Sequence, residues 1–318
     1  MIANNRLQNK VAGSDFTLPV CCVLAVILWW WPQCELTLRC AMGLAVSLLT
    51  TYIIMETNAR FHLIRIRSRL MACTWIVLSA CLSFLHPLGE PLIAAAFLSV
   101  SYLILFRCYQ QHRPEGWIYH AFLMLGIGSF CAPVMLVMAL LYYVYLIGFL
   151  RSMTWRGLWA GLLGLFTPYW CFGAWCLLTG NTEIGLHRFE LMTVIEMPSV
   201  KHLLALPFVW QASAGVVSLL AIISGLHFLH TNYDDKIRVR MMLYIYLVQT
   251  FLLLLFLPLQ PACYPTTMGL LAASTAPLIA HYFALTSSWL SNTFFILSLL
   301  LLCGMATLNL WMPSFSIS

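Results

Sequence analysis

Charge is scarce in this sequence. Asp, Glu, Lys and Arg make up 8% of its residues, against roughly 25% in a soluble globular domain. So few charged side chains cannot cover a folded surface in water, which excludes a soluble globular fold, whereas a lipid environment needs no such cover. The twelve cysteines contain no CxxC pair and no zinc-like spacing, so no metal or cofactor is expected. The basic residues do not gather in a way that suits a soluble nucleic-acid surface, and no nucleic-acid partner is expected. The sequence shows no internal repeat of fixed period, the usual sign of a transporter built from inverted repeats.

A further absence concerns the interior of the apolar segments. No Asp, Glu, Lys or Arg falls at the middle of any of them, although ion-coupled pumps and transporters usually keep such a group there. The polar residues that remain inside are His120 beside Tyr119, His281 beside Tyr282, Gln249, Asn309 and the proline-bearing stretches around Pro168 and Pro277. A histidine in such a setting is expected to serve as an interhelical hydrogen-bond partner.

What the sequence has in quantity is hydrocarbon. Hydrophobic residues make up 62% of the 318, mean hydropathy is +0.89, and the fold class read from these numbers is an all-α polytopic transmembrane bundle with no soluble domain. Eleven apolar segments of spanning length are separated by short charged or Pro/Gly turns: 17–32, 38–56, 70–86, 91–107, 117–131, 133–150, 157–179, 205–229, 241–259, 267–285 and 288–311. Together they form a single domain over 1–318, with one longer outer loop at 180–204. The run 117–150 is divided at Pro133, because Gly126, Gly128, Ser129 and Pro133 weaken a single helix through it. Reading it as one span would invert the topology on one side of it.

Loop charge discriminates between the two readings. With the N-terminus in the cytoplasm and 117–150 divided, thirteen basic residues fall inside: Arg6 and Lys10; Arg60, Arg65, Arg67 and Arg69; Arg107 and Arg113; Arg151 and Arg156; Lys236, Arg238 and Arg240. Only Arg39, Arg188 and Lys201 fall outside. This asymmetry follows the positive-inside rule and puts the C-terminus on the outer face. No small-residue cleavage site follows the first apolar segment, which runs into Trp29, Trp30, Trp31 and Pro32, so that helix is expected to stay attached as an anchor. Trp29 to Trp31, Trp117, Trp155, Trp210 and Trp311 lie near segment ends and suit the interfacial belt. Gly157, Gly161 and Gly164 form a small-residue face for close helix packing. Cys21, Cys22, Cys73, Cys81, Cys171, Cys176 and Cys303 lie in apolar runs and read as small buried hydrophobes.

Two stretches hold the candidate site residues. In the outer loop, a helical spacing puts Glu183, His187 and Glu190 on one face with Arg188 beside them, a set suited to acid/base work or to holding a lipid phosphate, against the plainer reading of an interfacial connector. In the cytoplasmic loop after the second segment, Arg60, Arg65, Arg67 and Arg69 alternate with apolar residues and suit lipid head groups or simple orientation of the chain.

Some of these stretches are familiar together. Asn5-Arg6-Leu7 ahead of the first anchor, Tyr119-His-Ala-Phe-Leu-Met-Leu-Gly-Ile-Gly-Ser129 leading to Pro133, and Phe149-Leu-Arg-Ser-Met-Thr-Trp-Arg156 running into Pro168-Tyr-Trp170 resemble a family of uncharacterised bacterial multi-pass inner-membrane proteins of about this length, chiefly over residues 1–180. The resemblance implies a bacterial inner membrane and a stand-alone helical bundle, and it carries over no catalytic residue. Three functions stand side by side. The first, and the expected one, is a non-catalytic component of an envelope-associated assembly, with the lipid bilayer and a membrane protein as partners. The second is an enzyme on lipid-linked glycans of the ligase or polymerase type, working through 180–204. The third is a transporter of an uncharged or amphipathic substrate.

Overall fold

The computed structural model describes residues 6–30, 37–180, 183 and 206–311. Among them lie twelve α-helices and no strand: α1 (Leu7–Gly13), α2 (Thr17–Trp30), α3 (Leu38–Phe61), α4 (Leu70–Cys81), α5 (Glu90–Leu105), α6 (Glu115–Ser129), α7 (Val134–Gly148), α8 (Trp155–Thr179), α9 (Phe208–Thr231), α10 (Ile237–Leu259), α11 (Tyr264–Leu285) and α12 (Trp289–Trp311). Helices α2 to α12 fall on the eleven apolar segments, and the run 117–150 breaks at 130–133. The short α1 was not foreseen. It lies at 96° to α2 and is tied down by Gln8, whose Nε2 donates to the Phe283 carbonyl (2.7 Å) and to Thr286 Oγ1 (2.8 Å).

Among the described residues seven helices, α3, α5 with the helical turn that prolongs it to Cys108, and α8 to α12, are long and apolar enough to cross a membrane, and the bent pair α1 and α2 makes an eighth if it is one span. The twelve residues of α4 rise only about 18 Å at 1.5 Å each, and α7, at fifteen residues, is also shorter than a full crossing. The count of about eleven spans therefore exceeds what helix length alone supports.

The bundle is built around α11, whose apolar window is 94% buried, and α8 lies at its edge with 17%. Close approach follows from the lack of a Cβ where helices touch. A Cβ on Gly126 would lie 2.6 Å from the Leu165 carbonyl oxygen, and one on Gly164 would collide with the Tyr119 carbonyl. Thus the glycine face of α8 packs on α6, as the small-residue spacing predicts. Thr154 starts α8 by accepting from the Gly157 N–H (2.9 Å), and Gly180 closes it in the left-handed region (φ +72°). Two expectations need correction. Trp29 is not an interfacial anchor: it is fully buried, stacks on His86 at 4.3 Å and donates from Nε1 to the Cys40 carbonyl (3.1 Å). Cys171 on α8 and Cys303 on α12 are exposed rather than buried.

Polar side chains inside the bundle bond across helices. Ser47 pairs with Ser79 (2.9 Å), Thr74 donates to the Ala276 carbonyl (3.0 Å), Ser101 to the Ala121 carbonyl (2.8 Å), Tyr145 to Gln249 Oε1 (3.1 Å) and Asn309 Nδ2 to Ser213 Oγ (2.8 Å), while the Tyr102 and Ser274 hydroxyls meet at 3.2 Å. Where water is absent, such bonds fix which helix faces which.

The two ends of the bundle gather different segments. At one end, the Gln110 N–H donates to the Leu150 carbonyl (2.9 Å), Arg69 pairs with Asp15 (3.4 Å) and Arg65 with Asp235 (3.1 Å). There too the Arg238 guanidinium sits 5.4 Å from the Phe61 ring and Arg107 4.4 Å from the Trp117 ring. The other end brings Arg39 against Leu88, with Arg39 Nε donating to its carbonyl (2.9 Å), and stacks Trp210 on Tyr264 (4.9 Å). The five basic segments counted as inside thus share one end.

Candidate functional site

The most strongly polar centre among the described residues sits at the basic end and is assembled from three distant parts of the chain. The loop between α3 and α4 is organised by Asn58, which accepts from the Ile64 N–H (3.1 Å) and donates to the Ser68 carbonyl (3.2 Å). His62 ends α3 in the left-handed region (φ 52°), its N–H on the Asn58 carbonyl (2.8 Å). This fold aims Arg65 at the turn between α9 and α10. There Arg65 Nη1 donates to the Asp234 carbonyl (3.1 Å), and Nε lies 3.1 Å from Asp235 Oδ1 without pointing at it, an ion pair rather than an aligned hydrogen bond.

Asp235, one residue before the cap of α10, turns inward until its carboxylate is fully buried. Its Oδ2 accepts from His281 Nε2 at 2.9 Å, and the imidazole, also buried, meets Phe228 edge-on at 5.5 Å. His281 Nδ1 is buried without a hydrogen-bond partner. A lone buried carboxylate costs several kcal/mol, so Arg65 and His281 together are what allow Asp235 to sit where it does. The arrangement clamps the α3–α4 loop, the α9–α10 turn and α11 to one another.

The structure distributes the sequence candidates unevenly. Arg60 pairs with Glu56 one helical turn away, Arg65 with Asp235 and Arg69 with Asp15. Arg67 alone of the four has no ion-pair partner among the described residues; it lines, with His62, Arg65 and Arg69, a cavity of about 450 Å³. Three of these arginines are thereby spent on the protein's own carboxylates, which leaves little charge for head groups. Glu183 is a helical, exposed residue, and His187, Arg188 and Glu190 lie outside the described residues. No group of three or more His, Cys, Asp or Glu suited to a metal occurs among the described residues.

Sequence reasoning missed Asp235 altogether. It stands beside Asp234 in a polar turn, Asn232-Tyr-Asp-Asp-Lys236, that reads as a solvated cytoplasmic connection. The available signal was local: three Asp occur in the chain and two of them are adjacent here, one more than a turn requires. At the opposite end His86 is held by the Ala80 carbonyl (2.9 Å) and stacks on Trp29. No protein-family model, curated protein or solved structure matches the chain.

Proposed function

We propose that the chain is an eleven-span protein of the bacterial inner membrane, with its N-terminus in the cytoplasm and its C-terminus on the outer face, acting as a non-catalytic component of an envelope-associated assembly. The observation that carries this reading is how the interior polar groups are used. Tyr145 with Gln249, Ser213 with Asn309 and Asp235 with His281 bond helix to helix or helix to turn, which is the work of a scaffold. The basic segments meeting at one end support the orientation. Length supports the fuller span count less directly: α4 is prolonged by the helical turn Ser83–Leu85, and a bilayer thins around short helices at modest cost.

The test is purification of the tagged protein from its native membrane in a mild detergent, with mass spectrometry of what accompanies it. A stoichiometric membrane-protein partner is expected. Replacing Glu183, His187, Arg188 and Glu190 together by Ala is expected to leave that partner and the cellular phenotype intact. Loss of the phenotype at normal protein level would replace this reading with an enzyme on lipid-linked glycans working through the outer loop.

A further inference from the structure

Helix α2 packs on α4 through Ala25, Ile76 and Ala80, and α12 touches α4, yet α2 and α12 do not close on each other. Between them lie two adjoining apolar cavities of about 80 and about 440 Å³, which share Cys21, Val77, Leu299 and Leu302. The cause is side-chain size. Cys21 and Ala25 on α2, Ala80 and Cys81 on α4, and Cys303 and Ala306 on α12 line the gap, and these short side chains leave the space between α2 and α12 unfilled. The cleft extends along the helices from Val11 and Thr17, at the junction of α1 and α2, to Leu310 near the far end of α12.

What fills this cleft is constrained by its volume, its lining and its ends. A transmembrane helix is a cylinder about 10 Å across and about 30 Å long, or roughly 2,000 Å³, several times the space available, so neither a partner's helix nor one from a second copy fits inside. Water needs two to four polar partners, and the walls are almost wholly carbon. A single hydrocarbon chain fits both the volume and the chemistry. The charge at one end then selects the lipid. Val11 lines the inner mouth, and its neighbour Lys10 is exposed, with no ion-pair partner among the described residues. Arg6, the cap of α1, lies one turn earlier, its carbonyl accepting from the Lys10 N–H (3.1 Å). The Gln8 bonds to Phe283 and Thr286 fix α1 across the end of the bundle, which keeps Lys10, next to Val11, beside the opening with Arg6 one turn away.

We propose that the α2–α4–α12 cleft is a binding site for one acyl chain of an anionic phospholipid, whose phosphate is held by Lys10 and Arg6. The site goes beyond the assembly role and stands or falls without it.

The test is photolabelling of the full chain in phosphatidylcholine vesicles containing a trace of phosphatidylglycerol with a diazirine on its acyl chain. Labels are expected to concentrate on residues 21–28 and 302–310, and to disappear from them in Ala306→Trp while labelling of the outer surface of α8 stays unchanged. A phosphatidylcholine probe is expected to label the cleft about fivefold less per cation lost from the contact, since a basic residue near an anionic head group contributes about 1 kcal/mol. Lys10→Glu is expected to remove that preference while the labelled residues stay the same. Excess unlabelled phosphatidylglycerol is expected to compete with the cleft labels and not with those on α8, a readout that holds even if Ala306→Trp fails to fold. Equal labelling of cleft and α8, labels indifferent to competition, or a cross-linked dimer through the cleft peptides would each overturn the proposal.

Discussion

His281 Nε2 donates across 2.9 Å to Asp235 Oδ2, and both side chains are buried, so one hydrogen bond ties the central helix α11 to the turn that opens α10. Arg65 approaches the same carboxylate from the α3–α4 loop. Three segments far apart in sequence depend on one carboxylate.

Removing one member of this set is expected to leave the others uncompensated. Asp235→Ala or His281→Ala should lower stability in detergent by roughly 3–5 kcal/mol, the usual cost of stranding one partner of a buried pair. Arg65 is 43% exposed, so Arg65→Gln should cost no more than about 1 kcal/mol. Thermal unfolding of the three variants and of Asp235→Ala/His281→Ala checks this; the double variant is expected to lose much less than the sum of the two single losses, because the two groups act as a unit.

Much of this architecture was legible because lipid leaves few alternatives. Each apolar segment had to be a helix, and the sequence break at Gly126, Gly128, Ser129 and Pro133 is where α6 ends and α7 begins. The glycine spacing of α8 likewise became a packed face. What escaped was whatever depends on contacts between distant segments. Seven residues of mixed polarity, Leu7–Gly13, offer no apolar run to mark α1 as a helix. Trp29 reads as an interfacial tryptophan until His86 is seen to lie over it. Asp235 reads as a solvated turn residue until Arg65 and His281 arrive from elsewhere in the chain to compensate its charge.

The α6–α8 contact offers a control built into one helix. A methyl on Gly164 meets the Tyr119 carbonyl, which belongs to a helix backbone and cannot step aside, whereas one on Gly173 meets nothing within 4 Å. Gly164→Ala is expected to cost roughly 1–3 kcal/mol through overpacking, and Gly173→Ala on the same helix none. Comparable melting temperatures for the two variants would show that the close approach is not what holds α8 in place.

The break at 130–133 decides the topology of everything beside it, so it is the place to test orientation. Reporter enzymes active only outside the inner membrane, fused after residues 113, 132 and 152, should be inactive, active and inactive in turn. The contacts already favour this order: the Gln110 N–H donates to the Leu150 carbonyl, so 110 and 150 share an end, and a chain that leaves that end at α6 and returns to it by α7 must turn at the other end between them. A single span through 117–150 would instead separate the reporters at 113 and 152. It would also move either the basic residues before it or those after it to the outer face, against the charge asymmetry that orients membrane proteins.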